Sequence, residues 1–444
     1  MPMYPTHWVR IHALRLGTSR RIFILRRTLE CGTSRIVMSS DLDIEPIGDS
    51  LSGKHVLLIV SGGIAAVESV KLSREIRRHG AELSIIMTKD AHKVITPLAL
   101  SWSSASPIIT DWDSKMTQLS TFDALLIAPA TRNTISKHIH GVMDSPAMMA
   151  LSAARGNGTP MLFVPSMHSD LFDDPVTTEL LDALRDEGSD IVLDELSEGR
   201  MKQPNHIQIV AHLGRCINKH LPNRKKVAIT LGANRAPIDS VRAIQNASSG
   251  TTGWRIAEHL YRMGHDVLCI AGVTSSSPHF VLPSVIRAGT PSAMLTACLD
   301  VASGGNFWRD DISESKPDAW IHAAAVLDYY AEAISGKKPS GESDWNLELT
   351  PGPKHIEEIA HLTEDSIRIG FKLEVDVSVE ELLSRSAAQI ERLGTDAVVA
   401  NLKDEVHDPN TPRGRIVLPD GNVMEMRDDS ELCRTIESLL HIHD

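Results

Sequence analysis

Four short segments combine amide, hydroxyl, small and charged residues in orders suited to holding an anion or a flat ring. Asn246-Ala247-Ser248-Ser249-Gly250 sets a carboxamide ahead of two hydroxyls and a glycine, just before an amphipathic run. An Asn followed by Ser-Ser-Gly at a helix start can bind an anion or a carbonyl oxygen. Ala323-Ala324-Ala325 has no bulk, so a base or ribose can pack against its backbone, and Asp328 follows closely. Lys337-Lys338 supplies point charges for a polyphosphate. Ser61-Gly62-Gly63 separates an apolar run from a helical pattern, where glycines admit close backbone approach and helix N–H groups favour a phosphate. Thr88, Ser101, Ser103 and Ser104 could add hydroxyl donors, and Thr131 and Asn133 in Ala128-Pro129-Ala130-Thr131-Arg132-Asn133-Thr134 could cap a helix or hold a ring edge. Each feature has a plainer reading: a helix cap for Asn246, a surface acid for Asp328, a solvated pair for the lysines, a tight turn for the glycines. Together, at successive strand ends, they favour a nucleotide site.

The elements that must position these residues are legible as apolar runs. HVLLIV (55–60), ELSIIM (82–87), DALLIAPA (123–130) and TPMLFVP (159–165) read as strands of a parallel sheet, continuous where both faces are buried. Helical patterns separate them, and helices near 175–186 and 205–220 finish this half. A linker at 221–224 follows, and the pattern restarts. KVAITLGAN (226–234) is strand then loop, 252–265 a helix, DVLCIAG (266–272) a strand. DAWIHAAAV (318–326) and AVVAN (397–401) are strands ending in loops. Such alternation implies right-handed βαβ units. The expected architecture is α/β: two doubly wound, Rossmann-like domains with mostly parallel sheets, 54–222 and 223–444, behind an N-terminal extension, 1–53. In these sheets ligands sit beyond the C-terminal strand ends, where the segments above fall.

Composition narrows the function classes. Lys and Arg total 45 against 57 Asp and Glu, a net charge of −12, which argues against a dedicated nucleic-acid binder or a polybasic membrane-surface protein. Aromatic residues are only 4%, too few for the stacking platforms of single-strand binders. No apolar stretch is long enough to span a membrane. Cys31, Cys216, Cys269, Cys298 and Cys433 are scattered without CxxC spacing, so a reduced, cytoplasmic setting is expected. Residues 1–40 hold seven arginines, no lysine and one acid, Glu30. That pattern fits an organellar targeting segment or an upstream mis-called start, with translation beginning at Met38.

At this point the motifs are recognisable. ITLGANRAPIDSVRAIQNASSG (229–250), HAAAVLDYY (322–330) and VVAN (398–401), with the weaker SGGIAA (61–66), APATRNT (128–134), PSMHSDLFDDP (165–175) and EGRM (198–201), resemble the bifunctional coenzyme A biosynthesis family. The resemblance covers about 54–430 in the family's domain order: a flavoprotein-type phosphopantothenoylcysteine decarboxylase, then a phosphopantothenate–cysteine ligase. It implies that 4′-phosphopantothenate and L-cysteine are joined with CTP and Mg²⁺ through an acyl-cytidylate. Asn246 then matches the family Asn at the acyl-phosphate carbonyl. Asp328 matches the acid of the nucleotide site, a candidate metal contact, and Lys338 or Lys337 the phosphate-binding lysine. Phe371 matches the residue against the cytosine, and Gly232 with Ala323, Ala324 and Ala325 the nucleotide-binding backbone. In the first half the resemblance implies FMN against Ser61, Gly62, Gly63, Ile64, Thr88, Ala128, Pro129, Ala130, Thr131 and Asn133. It also implies a homo-oligomer through both domains, with neither nucleic acid nor membrane as partner.

The chain departs from the family pattern at several points. Thr251-Thr252-Gly253 replaces the usual Lys-Met-Gly, Leu393 a lysine, and Ala236 a glutamate. In the first half no His lies in Lys115-Met116-Thr117-Gln118-Leu119, His168 stands where an Asn is expected, and Leu193 where a Cys is expected. The family decarboxylates by oxidising a thiol on FMN and reprotonating an enethiolate. Losing all three residue types leaves no obvious acid for that last step, although His168 titrates near neutrality and could substitute. The expectation is therefore a CTP-dependent ligase fused to a degenerate decarboxylase domain. A fully bifunctional enzyme and a non-catalytic flavoprotein-like regulatory subunit are the alternatives.

Overall fold

The computed structural model describes residues 41–194, 196–197, 200–305, 307–308, 315–341, 344–406 and 408–442. Two sheets organise them, and both follow one strand order. Across the first sheet lie Ile108–Ile109, Glu82–Met87, His55–Val60, Ala124–Ala130, Met161–Pro165 and Asp190–Ile191. Every pairing is parallel. Across the second lie Ser284–Arg287, Asp266–Ala271, Lys226–Leu231, Ala319–His322, Ile367–Glu374 and Ala397–Leu402, also parallel. Two antiparallel strands, Gly414–Val417 and Val423–Met426, extend its edge. Counted along the chain, each parallel set runs 3-2-1-4-5-6. The connections reverse direction between the first and fourth strands, so a crevice opens there beyond their C-terminal ends.

The apolar runs make these strands because each serves two cores. Val56, Leu58 and Val60 enter one cluster with Leu72, Ile76 and Leu83, while Leu57 and Ile59 enter another with Ile127, Leu151 and Phe163. Alternation with period two along a strand requires this division. In the second sheet Val227, Ile229 and Leu231 pack with Trp254, Leu260 and Tyr261, and Ala228 packs on the other face with Trp320 and Met294.

One helix belongs to both halves. His206–Asn218 is capped by Asn205, whose side chain accepts from the Gln208 N–H. Its Ile209, Val210 and Leu213 complete the first core, while Ala211 joins the second. It lies against the helix Thr251–Arg262. Asn218 Nδ2 donates to the Arg262 carbonyl (2.9 Å), and Arg215 Nη1 donates to the His265 carbonyl (2.8 Å). At Gly264, φ is +90°, and an added Cβ would lie 2.4 Å from the Asn218 carbonyl carbon, so only glycine fits this joint.

Residues 42–53, assigned by sequence to the extension, pack on the first half. Leu51 is fully buried in its core, and Arg77 Nη2 donates to the Leu42 carbonyl at 2.8 Å. This piece has no regular periodicity, so sequence alone could not place it. The 414–426 strand pair and the C-terminal helix Asp429–Leu439 likewise complete the second fold. No helix among the described residues is long and apolar enough to cross a membrane.

Candidate functional site

The first crevice lies where the His55–Val60 and Ala124–Ala130 strands end. Ser61, almost wholly buried, donates from Oγ to the Pro129 carbonyl (2.6 Å) and accepts from the Thr131 N–H (3.0 Å). Its hydroxyl therefore joins the two strand ends, and its task is to hold the crevice. Gly62 is pressed on the next loop, since a Cβ there would lie 2.3 Å from Asp90 Cβ. A Cβ on Gly63 would stand 3.4 Å from Thr131 Cγ2 and 3.6 Å from Pro129 Cγ, inside the crevice. Thr88 Oγ1, at the end of the neighbouring strand, is buried and finds no partner among the described residues. A bare glycine wall beside an orphaned hydroxyl fits a phosphate-bearing planar group such as FMN. Thr131 caps the helix Arg132–Ile139 by accepting from Thr134 N–H, Asn133 is exposed on its first turn, and Ile64 is exposed at the rim. Ala128 and Ala130 are buried strand positions. Ser103 and Ser104 spend their hydroxyls on backbone carbonyls of their own helix, away from any ligand role.

The residues expected to decarboxylate are differently used. Gln118 is buried, with Nε2 against the sulfurs of Met116 (3.5 Å) and Met149 (3.6 Å). His168 has a half-exposed side chain; its Nδ1 accepts from the Asp170 N–H (3.4 Å) and caps the short helix Ser169–Phe172. Glu198 and Gly199 of the EGRM segment lie outside the described residues.

The second crevice lies beyond Lys226–Leu231 and Ala319–His322. The backbone closes it: Asn234 N–H donates to the Ala325 carbonyl (3.1 Å) and Ala325 N–H to the Gly232 carbonyl (2.8 Å). Asn246 Nδ2 donates to the same Ala325 carbonyl at 3.0 Å, which brings the NASSG and HAAA segments together. Gly250, with φ of +84°, starts the helix Thr251–Arg262, so Asn246 is not its cap. Gly232 is equally constrained: φ is +79°, and a Cβ would lie 2.8 Å from Thr274 Cγ2. A pocket of about 400 Å³ opens here, lined by 245–249 and 273–275, and Asn246 is one of its walls. Ala323 and Phe371 pack against one core of the sheet and Ala324 against the other.

Charge is arranged around Asp239, which the sequence reading passed over. Its Oδ1 accepts from Val241 and Arg242 N–H, and its Oδ2 accepts from Arg242 Nη1 (2.6 Å) and Lys338 N–H (3.2 Å). Burial works to raise its pKa, but these donors outweigh it and hold the carboxyl at about 2. The hairpin Arg235–Pro237/Ala243–Gln245 is thereby tied to the lysine loop. Lys338 is half-buried and Lys337 exposed. Asp328 has an exposed side chain, with Lys354 Nζ 4.0 Å away. No cluster of three His, Cys, Asp or Glu side chains suited to a metal occurs among the described residues, so Asp328 does not by itself form a metal site. Arg413 was also missed: it donates to Thr252 Oγ1 (2.7 Å), Asn401 Oδ1 (3.3 Å) and Asp429 Oδ1 (2.6 Å), fixing the start of the Thr251–Arg262 helix.

Comparison with known proteins agrees with this two-part layout. The family described as Flavoprotein matches residues 45–215, and the DNA/pantothenate metabolism flavoprotein C-terminal domain matches 223–436. The coenzyme A biosynthesis bifunctional protein CoaBC of Thermococcus kodakarensis is 35% identical over 358 residues, covering 79% of this chain and 86% of that protein. The chain belongs to the CoaBC family. A second CoaBC relative, from Methanocaldococcus jannaschii, is 29% identical over 79% of this chain and 84% of its own. A crystal structure of the DNA/pantothenate metabolism flavoprotein from Streptococcus pneumoniae superposes with a TM-score of 0.42 at 20% identity, over 50% of this chain and all of that one. As in the sequence reading, the flavoprotein part of this CoaBC member precedes the C-terminal part.

Proposed function

We propose that the second crevice joins 4′-phosphopantothenate to L-cysteine at the expense of CTP. The observation that carries this reading is the Asn246–Ala325 contact, which sets the one carboxamide of the NASSG loop against the bulk-free HAAA backbone at the strand reversal. A carboxylate is a poor electrophile at neutral pH. Its oxygen attacks the α-phosphorus of CTP, the bond to the β-phosphate breaks and pyrophosphate leaves. The cysteine amine then attacks the acyl carbon of the cytidylate; CMP departs and the amine proton passes to water. The protein's work is positioning and charge neutralisation. The helix start beyond Gly250 offers N–H groups to phosphate oxygens, Asn246 orients the acyl group, and Lys338 with Arg242 offsets polyphosphate charge. Phe371 and Ala323 present a surface for the base. Magnesium travels with the nucleotide, since an isolated Asp328 offers too little to hold it without phosphate oxygens.

In the first half we propose a flavin-binding frame without decarboxylation. Gly62, Gly63, Thr88 and Thr131 would hold FMN, which when bound supplies thiol oxidation. Gln118 and capping His168 provide no placed acid for the enethiolate. The test incubates the full chain with 4′-phosphopantothenate, cysteine, CTP and Mg²⁺, and reads products by mass. Phosphopantothenoylcysteine alone is expected. Onward loss of CO₂ overturns the reading of the first half, and absence of any product overturns that of the second.

A further inference from the structure

Trp345 lies half-buried in the loop between the short strands Tyr329–Tyr330 and Thr350–Pro351. Two cations from different loops rest on its ring: Arg242 Cζ is 5.3 Å and Lys338 Nζ 5.4 Å from the centroid. The loops are already tied, because Asp239 takes both the Arg242 guanidinium and the Lys338 N–H, and Arg242 Nη1 also donates to the Lys338 carbonyl (3.3 Å). One carboxylate therefore stands beneath two positive groups, and positive charge is left in surplus. An aromatic face attracts cations through its quadrupole without carrying charge, so it gathers them without neutralising them. Long basic side chains lose rotamer freedom when a ligand fixes them, and a ring that restricts them beforehand lowers that cost.

We propose that Trp345 is a positioning residue that gathers Arg242 and Lys338 into one pair preset for the polyphosphate of the nucleotide. The inference rests on the nucleotide reading of the second crevice and extends it to a residue outside every motif that suggested that reading. Phosphate oxygens carry full charge and draw both cations more strongly than the ring does, so binding alters the surroundings of the indole.

The test uses the full chain with CTP and, separately, inorganic pyrophosphate. Trp345→Leu keeps bulk but removes the quadrupole, and is expected to raise KM for CTP roughly tenfold with kcat within about twofold of wild type. Trp345→Phe keeps an aromatic face and should recover most of that loss. Titration with either ligand should shift the intrinsic tryptophan emission of wild type, and Trp345→Phe should lose most of the shift. An unchanged KM in Trp345→Leu, or a fall in kcat at constant KM, overturns the inference while leaving the nucleotide reading intact. A wild-type chain that binds neither ligand by calorimetry overturns the nucleotide reading, and this inference with it.

Discussion

The two crevices share a strand order and a position but are closed by different chemistry. In the first, a single hydroxyl does the joining: Ser61 bridges Pro129 and Thr131, and the ligand-facing wall is glycine and alanine. In the second, backbone N–H groups join the strand ends, and the loops beyond carry an amide, a buried carboxylate and a cation pair. A wall of small residues suits a group that brings its own reactivity. A charged, amide-bearing wall suits a reaction in which the protein must neutralise developing charge. One scaffold therefore supports two tasks because the chemistry sits on loops that the sheet positions without dictating.

The comparison can be broken most sharply at Asn246. Asn246→Ala should lower the ligation rate by roughly 10²–10³-fold, the scale of losing one placed donor at a reacting centre. Flavin retention should be untouched. Initial rates beside flavin absorbance check this, and parallel loss of both would mean the crevices are not independent.

Acid should separate the halves next. Burial lowers the pKa of His322 to about 3 and of His355 to about 4, with positive Arg368 adding to the effect at His322. Burial also lowers His265. Below the ordinary value of 6.5 the unfolded chain binds protons that the fold refuses, so stability falls as pH drops from 6.5 toward 3. Glu437 adds a later loss. Burial opposes its charge, but its hydrogen bonds to His259 and His265 prevail and hold it at about 2, so its contribution disappears between 4.5 and 2. In the first half His138 is the buried counterpart, its pKa lowered by burial and partly restored by Glu187. Ligation should therefore fail before flavin binding on acidification, and His322→Gln should flatten the dependence of Tm on pH between 6.5 and 3. An unaltered slope would remove His322 from the account.

Smaller effects are expected in the first crevice. Gly62→Val must displace Asp90 and should cost about 1–3 kcal/mol, read as a lower Tm with loss of flavin. Ser61→Ala leaves the Thr131 N–H without its acceptor and should cost about 1–2 kcal/mol. Both should leave ligation within about twofold of wild type; a larger drop would mean that the shared helix 206–218 transmits the change.

Much of this was legible beforehand because both parallel sheets need strands buried on two faces, which leave continuous apolar runs. The segments beyond those runs pointed to the strand ends where the crevices lie. Asp239 and Arg242 stood inside a quoted motif yet went unread, since an acid and a base three residues apart look like surface charge until Asp239 is seen buried under four donors. Arg413 and Trp345 carried no local signal at all. Their partners are 161 residues away at Thr252 and in two separate loops.

Periodicity, glycine placement and the order of small and polar residues are properties of neighbours along the chain, so the sequence by itself determined two α/β halves, their strand ends and the segments able to meet a phosphate. Which side chains are spent holding the fold, and which remain for a ligand, depends on contacts between residues far apart in sequence. Only the tertiary structure decided that Ser61 is a strand-end bridge, that Gly250 rather than Asn246 begins the helix, and that one aromatic ring collects two cations. The energy of a buried hydrogen bond or a gathered charge is set by what lies opposite in space, and local pattern does not contain that information.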